Sequence, residues 1–203
     1  MRLAAPLRII AAAVVLVLIL IGLVVREGAA RAEGQEVLLA MTAYDPRSLL
    51  GGHYVAFQLR DSLPPGSPCP PGTAPPVGSP FPARHRWIAL KKSGDRYVLA
   101  GAAATRQAAL TMGDVAVRGT AGCSSEMTID PKATNVTSPT AVDLSIGVDR
   151  FHADQQQAEA LGRALSRGAV GPPAFAVVSV GADGKARLKG VIVAGRRTDL
   201  SWL

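Results

Sequence analysis

Seventeen consecutive apolar residues, Ile9 to Val25, form the longest hydrophobic run of the chain. As a helix they reach about 26 Å at 1.5 Å per residue, the short end of a bilayer span. Beyond them the pattern shortens to strand-like stretches, with apolar residues either alternating or in brief runs. Strands are predicted over 36–44, 53–59, 86–91, 96–100, 114–119 and 141–148, and as a hairpin over 174–180 and 186–193. In the second, Val55, Phe57 and Leu59 share the face expected to enter the core, with Tyr54, Ala56 and Gln58 opposite. Lys92-Ser93-Gly94-Asp95 and Gly181-Ala182-Asp183-Gly184-Lys185 supply the hairpin turns. Helical spacing is clear over 155–167, where Ala158, Leu161 and Leu165 make a stripe, Asp154 caps with Gln157 three residues on, and Gly168 ends the helix. The expected fold is α+β, mainly antiparallel β with about seven strands and one soluble helix, preceded by a single transmembrane helix.

Residues 62–84 interrupt this pattern with nine of the chain's fifteen prolines. Proline lacks the amide donor that a strand ladder needs, so an extended surface loop is expected. The organisation that follows is a cytoplasmic tail over 1–8, a signal-anchor over 9–25, a linker over 26–35 and an exported β-rich domain over 36–203. An alternative for the first segment is a cleaved signal peptide ending at Ala30-Arg31-Ala32. That site lies seven residues past the apolar run, with Arg26 and Glu27 between, and the run exceeds the usual 7–15-residue signal core. Arg2, Arg8 and the free amino group before the run favour a cytoplasmic N-terminus.

Composition and charge exclude more than they assign. At 18% charged and 48% hydrophobic, the chain is not disordered. The net charge of +7 includes three arginines within residues 1–26, where there is no acid, leaving +4 for the rest. Lys91-Lys92 and Arg196-Arg197 are the longest basic clusters and stand far apart, so nucleic-acid binding is not expected. His53, His85 and His152 lack ligand-type spacing, and two cysteines cannot form a four-cysteine zinc site, so no metal or cofactor is expected. Cys69 and Cys123 are the only two thiols, and in an oxidising compartment they are expected to pair.

The stretch Tyr44-Asp45-Pro46-Arg47-Ser48-Leu49-Leu50-Gly51-Gly52-His53-Tyr54-Val55 resembles the defining segment of the GDYXXLXY family, bacterial membrane-anchored proteins with no assigned activity. Asp45, Pro46, Arg47, Leu49, Leu50, Gly52, Tyr54 and Val55 fit the pattern. His53 replaces its Asp, Phe57 its Leu and Leu59 its second Tyr. Val148-Asp149-Arg150-Phe151 and Asp183-Gly184-Lys185-Ala186-Arg187-Leu188 are similar to the family's C-terminal half. The resemblance implies an anchored, exported domain in the bacterial inner membrane, working beside polytopic membrane proteins, and it implies no reaction. Asp45, Pro46, Arg47, Gly52, His53 and Tyr54 are then structural motif residues. The glycine before a strand also resembles the corresponding turn of signal-peptidase-type serine proteases, but only Thr42 and Ser48 stand near, and neither has the Ser-Met context of that nucleophile.

The expected function is a non-catalytic accessory or interaction module of the inner membrane with an integral membrane partner and a periplasmic C-terminal domain. A periplasmic domain binding a small ligand or an envelope polymer is the alternative, which a cleft lined by Trp87 and Tyr97 would favour. A signal-peptidase-like hydrolase comes third. Membrane retention is the first expected outcome: alkaline carbonate should leave the chain in the pellet with its N-terminal segment intact. A soluble mature chain starting at Glu33 would refute the anchor.

Overall fold

The computed structural model describes residues 4–43, 54–64, 67–74, 86–125, 140–152, 156, 160–161 and 174–200. Its elements run α1 (Ala4–Glu33), β1 (Gln35–Ala43), β2 (Tyr54–Leu63), β3 (Trp87–Ser93), β4 (Arg96–Ala103), α2 (Arg106–Leu110), β5 (Val115–Arg118), β6 (Thr120–Ser125), β7 (Thr140–Ser145), β8 (Arg150–His152), β9 (Ala174–Val180), β10 (Ala186–Val193) and β11 (Arg196–Asp199).

Two antiparallel sheets face each other. The larger has the order β11-β10-β9-β1-β2-β7-β6, with β8 also on β2. β7 pairs with residues 59–63 of β2 and β8 with residues 54–56. The segment between them bulges, Gly147 taking a φ of +79° that a side chain would resist. The smaller sheet is β4-β3-β5. Period-two alternation builds the core between the sheets: Val37, Leu39 and Met41 of β1 meet Ile88 and Leu90 of β3 and Val115 and Val117 of β5. Phe57 and Leu59 enter the same core, as the alternation of β2 requires.

The opposite face of the smaller sheet carries a second, thin layer made of Ala89, Ala103, Ala109 and Ala116. Their small side chains let α2 lie close, and the Thr105 hydroxyl caps it by accepting the Ala108 amide at 3.2 Å. This five-residue helix is too short to show a helical period, and it is not among the elements expected from the sequence. The strands β6, β8 and β11 also add to that expectation. Of the helix expected over 155–167, Gln156, Ala160 and Leu161 are helical and Leu161 is buried. Asp154, Gln157, Ala158, Leu165 and Gly168 lie outside the described residues.

Two segments differ from expectation. Residues 26–35 are not a linker: α1 continues through Glu33, and Gly34 alone separates it from β1. Arg26 to Glu33 is rich in alanine and in charged residues of high helix propensity, so nothing breaks the helix at the end of the apolar run. The Pro-rich segment, for its part, does more than loop over the surface. Within it, residues 67–74 strap the two sheets together. The Pro71 carbonyl accepts the Ala102 amide of β4 at 2.8 Å, and the Thr73 carbonyl accepts the Cys123 amide of β6 at 3.1 Å. Proline removes a donor but keeps its acceptor, and the strap uses its carbonyls. Thr73 is fully buried, with its hydroxyl donating to the Pro70 carbonyl at 2.7 Å. A Cys69–Cys123 disulfide, 5.8 Å between Cα atoms, fixes the strap to β6.

The bridge closes a loop of 54 residues. Chain entropy puts its contribution at about 4 kcal/mol, and measured bridges generally give about 2–4. A Cys69→Ala/Cys123→Ala chain should therefore unfold in urea with a stability lower by about 2–4 kcal/mol. Two alkylatable thiols on the native chain, detected by mass spectrometry without reduction, would refute the bridge.

Candidate functional site

Five residues at helical spacing, Leu23, Arg26, Glu27, Ala30 and Glu33, put one face of α1 towards the β9–β10 turn. Between them lies a cleft of about 460 Å³, walled on the other side by Gly181 to Asp183, Lys185 and Arg187. Arg187 is its buried lining residue. The side chain is buried, and its planar fork is engaged on both edges by carboxylates. Nε and one terminal nitrogen donate to the two oxygens of Glu27, at 2.5 and 3.2 Å. Both terminal nitrogens donate to Asp183, at 3.3 and 3.1 Å. One arginine thus holds a residue of α1 and a residue of the hairpin turn at once, in the bidentate geometry that suits guanidinium best. A further clasp lies one helical turn on, where Arg31 donates to the Lys189 carbonyl at 3.2 Å.

The turn itself is rigid. The Asp183 carboxylate accepts the Lys185 amide at 3.0 Å, an Asx turn, and the Gly181 amide donates to the Lys185 carbonyl at 3.1 Å. Gly184 has a φ of +76°, and any Cβ there would run into the Trp87 ring. Its carbonyl accepts the Arg118 amide of β5 at 2.8 Å, while the Arg118 guanidinium lies 5.2 Å from the centre of the Trp87 ring. The turn therefore joins α1 on one side to the smaller sheet on the other. Gly34 closes the corner: a Cβ would collide with the Ser179 hydroxyl and sit 3.0 Å from the Val180 backbone.

Electrostatics follow the geometry. Hydrogen bonds from Arg187, helped by the Lys185 amide, hold the Asp183 carboxyl down at about 2. Its two carboxylate partners raise the Arg187 guanidinium above its usual value. A second group on the same sheet, Glu36 with Arg197 at 2.8 Å and Lys189 at 3.0 Å, ties β1 to β10 and β11. There the Arg197 and Lys189 hydrogen bonds hold the Glu36 carboxyl below the ordinary carboxylate range.

The residues singled out in the sequence lie elsewhere. Asp45, Pro46, Arg47, Gly52, His53 and His85 lie outside the described residues, while Tyr54 opens β2 with its backbone opposite His152. Trp87 packs on Gly184, and Tyr97 accepts a hydrogen bond from Gln35 at 3.2 Å. Neither aromatic residue lines the cleft. Glu27, Asp183 and Arg187 were not among the candidate site residues. The available signal was an acid two residues past the apolar run, and two cations, Arg187 and Lys189, alternating along one strand face.

A family model described as "GDYXXLXY protein" matches residues 16–191, and the chain belongs to that family. No curated protein and no solved structure matches it.

The Arg187 fork is asymmetric. The arginine is buried while Glu27 and Asp183 are partly exposed, so losing one acid leaves the cation paired with the other. Arg187→Met should lower domain stability by about 1–3 kcal/mol, the range of charge-assisted bonds, and Glu27→Gln or Asp183→Asn by less than about 1 kcal/mol each. The Asp183 carboxyl is depressed from 3.8 to about 2 on folding, so the unfolded chain binds more protons between those values and stability falls as pH drops through them. Denaturant melts from pH 5 to pH 2 should show this loss in the wild type and a smaller one in Asp183→Asn. Equal slopes would refute the assignment.

Proposed function

We propose that this GDYXXLXY-family chain is a membrane-anchored accessory module. In this reading α1 is a single-pass anchor, the β domain stands on the outer face of the bacterial inner membrane, and an integral membrane protein is the partner. The module carries no catalysis of its own. The observation that carries the reading is the continuity of α1. The helix is long and apolar enough to cross a membrane, its apolar residues are uncovered, and it runs unbroken into a domain that grips it through Arg187. A merely tethered enzyme needs only a flexible stalk, whereas a helix held in fixed orientation suits a partner inside the bilayer.

The cleft beside Arg187 favours a second reading, a ligand-binding domain, because it is concave and polar. Photocrosslinking separates the two. With a photoreactive residue at Leu16 or Leu20 of the full chain in native membranes, the first reading expects a discrete protein adduct. The adduct should disappear when residues 9–25 are replaced by a polyleucine run of equal length. Adducts to lipid alone from both positions would refute the partnered module.

A further inference from the structure

We propose that the cleft at the root of α1 seats the headgroup of a zwitterionic aminophospholipid, a phosphate joined to a primary amine, from the leaflet facing the domain. This inference rests on the reading of α1 as a membrane anchor.

Depth is the first argument. The apolar run ends at Val25, and the helical face lining the cleft starts at Leu23 and ends at Glu33. Ten residues of helix rise about 15 Å. Headgroups occupy about 5–8 Å on each side of the hydrocarbon core, so this face starts at the acyl boundary and passes through the headgroup layer. Leu23 is half exposed and meets the first acyl carbons, while the charged residues stand above it.

Charge is the second. The Arg187 fork is fully used by Glu27, Asp183 and the Lys185 carbonyl and has nothing left for a ligand. Three other charged residues line the same cleft: Arg26, Lys185 and Glu33. Among the described residues, none of the three makes an ion pair. Two cations outside any contact ion pair, Arg26 and Lys185, suit a phosphate, and one such carboxylate, Glu33, suits an ammonium. With the fork included, the lining sums to zero, the condition for a net-neutral ligand. An anionic glycerol headgroup would offer Glu33 no cation, and a choline would offer it no N–H donor.

Size is the third. About 460 Å³ lies within the roughly 300–1,000 Å³ typical of small-ligand sites.

The test uses the full chain, purified in detergent and loaded with an equimolar mixture of phosphatidylethanolamine, phosphatidylcholine and phosphatidylglycerol. Native mass spectrometry then reads which lipid is retained. Phosphatidylethanolamine should be retained at least about tenfold over the other two, and Arg26→Gln/Lys185→Gln should abolish that preference. Glu33→Gln should remove the discrimination against choline while leaving phosphate-dependent retention. An intact disulfide and an unchanged melt show that the variants fold. Equal retention of all three lipids, or selection unchanged in the double variant, overturns the seat while leaving the anchor standing. Soluble phosphoethanolamine binding as tightly as the lipid overturns the bilayer as the source. A wild-type chain that leaves the membrane in carbonate overturns the anchor, and the seat with it.

Discussion

The junction between the long helix and the β domain is organised by one buried guanidinium. At Arg187 the long helix, the β9–β10 turn and the strand β10 meet. Burying a lone cation is expensive, and the cost is met here by two carboxylates in bidentate geometry. That requirement propagates outward. Asp183 must sit in a turn that presents both its oxygens, which requires Gly184 in a left-handed conformation, and the closeness of that glycine to Trp87 locks the turn onto the smaller sheet. The helix must also stay helical past the apolar run for Glu27 to reach the fork.

The opposite flank solves a different problem. Two sheets packed face to face leave edges at β4 and β6 whose amides need acceptors. A proline-rich strap is suited to this, because it offers carbonyls and few competing donors. Its hold comes from two backbone bonds, a buried threonine and a covalent bridge, rather than from strand pairing. The domain is therefore closed by backbone chemistry at one flank and by charge at the other, with aliphatic packing between.

Much of the β framework was legible because its faces alternate. Phe57 and Leu59 announce their buried side in the residue order alone, whereas Val37-Leu38-Leu39-Ala40-Met41 is an unbroken apolar run whose buried face, Val37, Leu39 and Met41, only the fold selects. Two of the three departures from the family pattern, Phe57 and Leu59, are core residues, so the pattern there asks for apolar bulk more than for a particular side chain. β11 was hidden because Arg196-Arg197-Thr198-Asp199 is an edge strand of polar residues with no apolar face to betray it. The cleft was hidden for a different reason. Glu27 and Arg187 are 160 residues apart, and only the folded chain brings the acid beside the base. The cysteines could be paired from composition, because two thiols allow one connectivity.

Gly34 is the only residue between the helix and the first strand, and it has no room for a side chain. Such a joint transmits angle as well as position. Each residue along the helix advances about 100° around its axis, so the azimuth of the whole β domain relative to any face of α1 is set by the residue count from that face to Gly34. The chain behaves as a key cut to one rotational setting: each face of α1 is aligned with one fixed flank of the β domain, and adding or removing one helical residue would turn the two against each other.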